Sequence, residues 1–164
     1  MKYFFYIIAC TLLFLIIFNI FADKSETSVN TATTFEWKKP VDIYLVDLTK
    51  AETESCEADV PIRRMILNAE TFGPGALDAL IKGPMAEESQ KYFSAISPAT
   101  LIQKFEVRDG VAYIDLSSEL IADSGGSCRA MAIRSQIDNT LMALSDIDSV
   151  VLSVDGETEG ILEP

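Results

Sequence analysis

The sequence contains no histidine among its 164 residues. Histidine is the commonest general base and the commonest metal ligand in proteins, so two large classes of site lose their usual residue. A serine nucleophile would need a lysine or an amine as its base. Neither a Gly-x-Ser-x-Gly nor a Ser-x-x-Lys pattern stands where a strand leads into a helix. We therefore predict that the chain is not an enzyme, with no catalytic, cofactor-binding or metal-binding residues.

Positive charge is also scarce, because 13 lysines and arginines stand against 25 aspartates and glutamates. Lys2 precedes every acidic residue, so the chain after residue 22 has 12 basic and 25 acidic residues, a net charge of −13. An acidic surface repels phosphate backbones and anionic lipid surfaces. We therefore expect no nucleic-acid partner.

A single long apolar run lies at the N-terminus, Tyr3–Ala22, with only two polar interruptions. At about 1.5 Å per residue it gives about 30 Å of helix, which is the thickness of a bilayer core. The run is longer than the apolar part of a cleaved signal peptide, and it lacks a good small-x-small site. We predict that residues 1–22 are a transmembrane signal anchor with Lys2 on the cytoplasmic side and the rest of the chain outside.

Two alternatives to this anchor remain open. Cleavage as a signal peptide would leave a chain that starts near Asp23. Lipidation at Cys10 is the other, because Ile7-Ile8-Ala9-Cys10 resembles a lipobox. The apolar run continues for a dozen residues past Cys10, which a lipidated N-terminus does not need.

The polar residues 23–39 are predicted to form a flexible linker, and residues 40–164 one domain. Cys56 and Cys128 are the only cysteines beyond the apolar run. An even number of cysteines in an exported domain usually means a disulfide, so we predict that these two pair. Two unpaired buried thiols are the alternative.

Hydrophobic patterns predict an α/β (α+β) fold in the order β-β-α-β-β-α-β, with a mixed β-sheet and both helices packed on one face. Asp109-Gly110 between two alternating runs is a strong hairpin signal. A short helical stretch is also possible from Ala86 to Phe93. The predicted strands are Val41–Val46, Val60–Leu67, Leu101–Val107, Val111–Leu116 and Val150–Val154, and the predicted helices begin at Pro74 and Ser127, the latter capped by its hydroxyl.

Three groups of charged residues resemble metal-binding, acid–base or partner-binding sites. Asp155–Gly160 resembles a calcium loop, but the chain ends before the closing ligand of such a loop, and an exposed turn explains it better. Asp115 and Glu119 can lie near each other, and we interpret both as surface or capping residues. Arg63 and Arg64 must point to opposite faces of their strand, and one of them could pair with the acidic loop around Cys56.

An ordered set of short motifs resembles the GerMN (sporulation and spore germination) domain family. The helix ending Leu-x-x-Leu-x-x-Gly-Pro is followed by a Ser-x-Ile-x-Pro turn, a hairpin, a long helix with Gln and Thr, and a final Asp-Gly turn. The resemblance covers about the whole exported domain. The matching residues are Leu77, Leu80, Gly83, Pro84, Ser94, Ile96, Pro98, Asp109, Gly110, Asp115, Gln136, Thr140, Asp155 and Gly156.

The resemblance implies an exported α/β domain, often membrane-anchored or lipidated, without established catalysis. It favours a membrane-anchored, extracytoplasmic binding or assembly module of the bacterial cell envelope. A cell-wall (peptidoglycan) enzyme or enzyme accessory protein and a ring-forming structural subunit are the alternatives. The expected partners are the membrane, through the N-terminal helix, and an unknown envelope protein or cell-wall glycan, with self-association possible.

Overall fold

The computed structural model describes residues 38–51, 56, 58–67, 72–122 and 125–162. The predicted anchor and the linker up to residue 37 lie outside the described residues. Within the described part, no helix is long and apolar enough to cross a membrane.

The first sheet has three strands in the order β2-β1-β3. Strand β1 (Lys38–Asp47) pairs antiparallel with β2 (Asp59–Leu67), and its last two residues pair with β3 (Tyr92–Phe93). A single helical turn, Leu48–Ala51, follows β1.

Proline positions fit the register of β1 and β2. Pro40 lies opposite Met65, and Tyr44 lies opposite Pro61. The backbone N–H and C=O of Tyr44 bond to side chains away from β2. By the alternation of antiparallel ladders, Pro40 also points its backbone away from β2, and so does every second residue. Neither proline therefore removes a bond from this ladder.

The second sheet has the order β4-β5-β6. Strands β4 (Ile102–Arg108) and β5 (Val111–Leu116) form the hairpin, and β6 (Ser149–Val154) joins β5 in parallel. A parallel neighbour needs a crossover connection, and the long helix α2 (Ser127–Met142) lies in that connection. A 3-10 turn, Ser118–Leu120, precedes it.

One core joins the two sheets to the helices. Helix α1 (Phe72–Lys82) packs on β1 and on α2, and α2 packs on β1 and β6. Burial of these apolar side chains is the main favourable term in folding. The fully buried core residues include Ile43, Leu45, Leu77, Leu80, Leu116, Ile133, Ile137 and Leu141.

The mixed α+β class and the approximate order of elements agree with the prediction, but a single mixed sheet is wrong. The two sheets stay separate because helix side chains, and not a strand, bond the far edge of β1 at Tyr44. The predicted helix from Ala86 to Phe93 is also wrong, since turns lead there into β3. Ser127 is the first residue of α2 and does not cap it. Strand β1 starts two residues earlier than the predicted domain.

Candidate interaction surface

The Leu-x-x-Leu-x-x-Gly-Pro motif builds the end of α1. Leu77 and Leu80 are fully buried in the core. Gly83 ends the helix with a φ of 74°, a left-handed conformation that glycine adopts without steric cost. The Ser94 hydroxyl donates to the Leu80 carbonyl over 3.3 Å and accepts from the Ile96 N–H over 3.3 Å. The Leu80 carbonyl also accepts from the Gly83 N–H at 3.0 Å, so Ser94 adds a second donor to a carbonyl in the last turn of the helix.

The Ser-x-Ile-x-Pro turn lies beside this helix end. Ile96 is buried and Pro98 is exposed, and both line a shallow groove of about 250 Å³ with Gly83 and Pro84. Apart from Lys82, the lining side chains carry no charge. The groove therefore offers shape and a few hydroxyls, and its lining contains no pair of carboxyl groups for acid–base chemistry.

The Asp109-Gly110 turn fixes the hairpin and the start of β6. Both residues have positive φ, 51° and 78°, as a two-residue hairpin of this type requires. The Gly110 carbonyl accepts from the backbone N–H of Asp148 at 2.7 Å and of Ser149 at 3.2 Å. A side chain at Gly110 would also collide with the Asp148 carboxylate.

Asp115 holds the closing turn of the chain. Its Oδ1 accepts from the Gly156 N–H at 2.9 Å and from the Ser153 hydroxyl. Asp155 accepts from Gln103 Nε2 at 2.7 Å, and this bond lowers the pKa of the Asp155 carboxyl. The segment Asp155–Gly160, which resembles a calcium loop, is thus a turn. Its first carboxylate, that of Asp155, is hydrogen-bonded to Gln103 of β4.

Gln136 and Thr140 hydrogen-bond the backbone of β1 at the edge where a further strand would otherwise pair. Gln136 Nε2 donates to the Tyr44 carbonyl at 3.0 Å, and its Oε1 accepts from the Ala95 N–H at 2.8 Å. Thr140 Oγ1 accepts from the Tyr44 N–H at 2.9 Å. Both helix residues are fully buried. A buried polar side chain must be hydrogen-bonded, and here the bonds go to the backbone of β1 and of the segment that follows β3.

The second sheet carries a group of charged side chains beside an aromatic ring. Lys104 and Arg108 lie with Tyr113 around a small groove of about 160 Å³. Glu106 pairs with Lys104 at 3.6 Å and with Arg108 at 2.7 Å, and the Arg108 guanidinium lies over the Tyr113 ring. The two cations thereby share one carboxylate of the same chain.

The predicted disulfide between Cys56 and Cys128 is confirmed, with Cα atoms 5.0 Å apart at a sequence separation of 72. The bond ties the connection between β1 and β2 to the first turn of α2. Asp59, at the start of β2, accepts from Ser135 and Asn139 of the same helix at 3.0 and 2.9 Å. The loop is therefore held on α2 by covalent and polar contacts together.

Arg63 and Arg64 point to opposite faces as predicted, but their partners among the described residues are not in the acidic loop. Arg63 is exposed and pairs with Asp42. Arg64 is buried, and both of its terminal nitrogens donate to the Glu88 carboxylate. This pairing, opposed in part by burial, holds the pKa of Glu88 below its usual range. Glu88 was missed because a residue in a turn gives no sequence sign of a partner on a distant strand.

A groove of about 360 Å³ runs along β2 and α1. It is lined on one side by Arg64, Met65, Ile66 and Leu67 and on the other by Gly75, Asp78, Ala79 and Lys82. Met65 and Leu67 are 55% and 51% exposed, among the most exposed of the large apolar side chains in the described part of the chain. None of the residues of the family motif lines this groove. We take this groove, called the β2 groove below, as the candidate interaction surface.

These arrangements define a class: a small α+β domain whose polar motif residues hold its own backbone. The family model of Germane, described as sporulation and spore germination, matches residues 42–160. The chain belongs to this family, and the resemblance found in the sequence is confirmed.

Two solved structures have a similar fold. The tandem GerMN domains of the sporulation protein GerM from Bacillus subtilis share 21% identity over 82% of this chain and 44% of that chain, with a TM-score of 0.60. The first GerMN domain of the same protein shares 19% identity over 73% of this chain and 85% of that chain, with a TM-score of 0.54. This chain thus spans less than half of the tandem structure. A search of curated proteins found no match.

Proposed function

We propose that this chain is a membrane-anchored module that displays its Germane domain outside the cytoplasm and binds or assembles envelope components without catalysis. One observation carries the proposal. The motif residues that can do acid–base or polar chemistry bond backbone groups of the same chain. Ser94 bonds the end of α1, Asp115 the closing turn, and Gln136 and Thr140 the strand β1. Groups that are occupied in this way hold the fold together and are not free to act on a substrate, which favours a domain that works by contact.

The apolar run Tyr3–Ala22 and the disulfide support the location. A run of about 20 apolar residues has the length of a membrane span. Disulfides persist in oxidising compartments outside the cytoplasm, and Cys56 bonds Cys128 here. The anchor would hold the domain near the membrane through a polar linker.

Extraction and labelling in cells test this function. The full chain should stay in membranes washed with alkaline carbonate, and its N-terminus should be at or near Met1. In intact cells, an impermeant thiol reagent should label Cys56 and Cys128 only after reduction. A soluble chain beginning near Asp23, a lipid on Cys10, or cysteines that an impermeant reagent never reaches would each contradict the proposed topology.

The second candidate, an enzyme or enzyme accessory acting on cell-wall glycan, rests on Tyr113. Its partly exposed ring lies among Lys104, Arg108 and Asp115, and sugars bind such aromatic and polar surfaces. Binding of purified peptidoglycan that is lost in Tyr113→Ala, with release of soluble fragments, would favour the enzyme. Binding without release would favour the module.

A further inference from the structure

Strand β2 points a row of backbone groups away from its sheet. Because Tyr44 turns its N–H and C=O away from β2, the facing residue Pro61 turns its carbonyl outward, and Arg63, Met65 and Leu67 follow the same alternation. The Arg63 carbonyl accepts from Arg64 Nη1 at 3.2 Å and keeps a second lone pair. Among the described residues, no hydrogen bond reaches the outward groups of Met65 and Leu67.

The edge of β1 that faces away from β2 is protected against pairing with another strand. Gln136 and Thr140 bond it at Tyr44, and β3 covers its end. Its remaining outward residues include Pro40, which has no N–H to offer, and the charged Lys38. Proline and lysine are the residues with which proteins blunt exposed sheet edges.

The two outer strands of the second sheet are guarded as well. On β6, Arg134 Nη2 donates to the Val150 carbonyl at 2.9 Å, and Val154 exchanges backbone bonds with Glu157. Strand β4 carries a bulge between Ile102 and Lys104 and a charged outer face. Within the described ranges, β2 is the outer strand with the most exposed apolar side chains at such positions, since Met65 and Leu67 are 55% and 51% exposed and Val107 on β4 is 37% exposed.

The β2 groove has the position of an additional strand. It lies along Arg64 to Leu67, where the next strand of the sheet would pair, and α1 forms its other wall through Gly75 and Ala79. Small residues on that wall leave room for the side chains of an added strand. Main-chain bonds to an exposed edge, with side chains in adjoining pockets, are a recurring mode of recognition.

The sequence of β2 suits a copy of itself. If two β2 strands run antiparallel with Met65 opposite Met65 of the second copy, then Arg63 lies opposite Leu67 of the second copy. Every outward residue from 63 to 67 then meets another outward residue, which is the bonded pairing of an antiparallel ladder. Like charges do not face each other, because each Arg63 meets a leucine and keeps its own Asp42.

We propose that the occupant of the β2 groove is a second copy of this chain, paired through β2 about a two-fold axis at Met65. An isologous contact of this kind is self-complementary and closes as a dimer. The inference rests on the proposed assembly function, since anchoring in one membrane raises the effective concentration of the two copies. It joins the first sheets of two copies into one continuous sheet.

Photo-crosslinking of the full chain in its membranes tests the dimer. A benzophenone amino acid replaces Leu67 in one strain and Met142 in another, because Met142 is also exposed, at 43%, but lies on α2. The probe at position 67 should give a product of about twice the 18.0 kDa chain mass that contains only this protein. The probe at position 142 should give little of it.

Two further variants locate the contact. Met65→Pro removes the outward N–H without touching the ladder to β1, since its partner there is Pro40. Met65→Lys places two ammonium groups opposite each other on the axis. Each should lower the yield at position 67 about tenfold or more, while Met65→Leu retains it. Formation of the Cys56–Cys128 disulfide reports that each variant is folded.

Three results would overturn the proposed dimer: equal yields at positions 67 and 142, no dimeric product at 67, or a yield at 67 that Met65→Lys leaves unchanged in a folded chain. A product at 67 that contains a different protein would also exclude the second copy, but it would leave the binding function intact. Failure of that function has a separate sign, which is a chain released by carbonate or retained inside the cytoplasm.

Discussion

Strands β6 and β2 are both outer strands of their sheets, and they differ in the hydrogen bonding of their outward backbone groups. On β6 the Val150 carbonyl accepts from the Arg134 guanidinium, and Val154 exchanges backbone bonds with Glu157. The outward backbone of β2 has exposed Met65 and Leu67 beside it and, in the described part of the chain, no bond at either residue. Uncovered edges are sites of association, and proteins protect most of them.

The comparison extends to the buried side of the fold. On β1 the edge is closed by Gln136 and Thr140, two polar residues of the family motif that are fully buried. A buried polar group is costly unless it is bonded, so their presence has to be offset by the bonds to Tyr44 and Ala95. The motif residues therefore close the edge of β1 at Tyr44.

Replacing Gln136 should give the largest loss in the free energy of unfolding, because this residue hydrogen-bonds the closed edge of β1. Gln136→Leu keeps the volume but leaves the Ala95 N–H and the Tyr44 carbonyl without their partner inside the core. We expect a loss of about 3 kcal/mol in the free energy of unfolding, measured by chemical denaturation. Thr140→Val is the matched control and should cost less, because one bond is lost. Equal, negligible losses in the two variants would show that the edge does not need these side chains.

The Arg64–Glu88 pair, which holds β2 to the turn before β3, should make the free energy of unfolding depend on pH. Because the pKa of Glu88 is lower in the folded chain, its stabilisation is present above the unfolded value near 4.5 and is lost as pH falls through the folded value. Glu88→Gln should therefore lower the free energy of unfolding by about 1–2 kcal/mol at neutral pH, with a difference that vanishes in acid.

The control for this pair is Asp42→Asn. The pKa of Asp42 is also lowered, chiefly by its hydrogen bond to Arg63, but Arg63 is 69% exposed and such surface pairs contribute little. A difference between wild type and Glu88→Gln that stays constant from neutral to acidic pH would contradict the role given to the Glu88 carboxylate.

The smallest expected effect on stability is at the guarded edge of β6. Arg134→Ala removes the donor to the Val150 carbonyl and the ion pair with Asp138. Arg134 is 42% exposed, so water can replace it, and we expect a loss of about 1 kcal/mol or less by thermal unfolding. The variant should expose a second unpaired edge, and concentration-dependent light scattering should rise above that of Arg134→Lys.

Local signals in the sequence predicted much of the fold. Strand β5 has the predicted bounds, Val111–Leu116, because a run of β-favouring residues directly follows the Asp-Gly turn. The number of sheets was not predictable in this way, since the closure of β1 depends on two side chains of a helix more than 90 residues away. Strand β3, with two residues, is too short to show a pattern.

The candidate surface had one overlooked signal in the sequence. Pro40 and Pro61 each occupy a position that makes no bond between β1 and β2, so together they fix which residues of β2 point outward. This inference needs the register, and register depends on pairing between distant segments. The disulfide could be predicted because only two cysteines lie beyond the apolar run.

Amide hydrogen exchange, followed residue by residue in a dilute sample, tests the contrast between closed and open edges most directly. We expect the Tyr44 N–H, which is bonded to Thr140, to exchange at least about a hundredfold more slowly than the Met65 N–H. At concentrations where the chain associates, protection should appear at Met65 and leave Tyr44 unchanged. A Met65 N–H that is as protected as that of Tyr44 in the dilute monomer would contradict the account, because β2 would then have a closed edge.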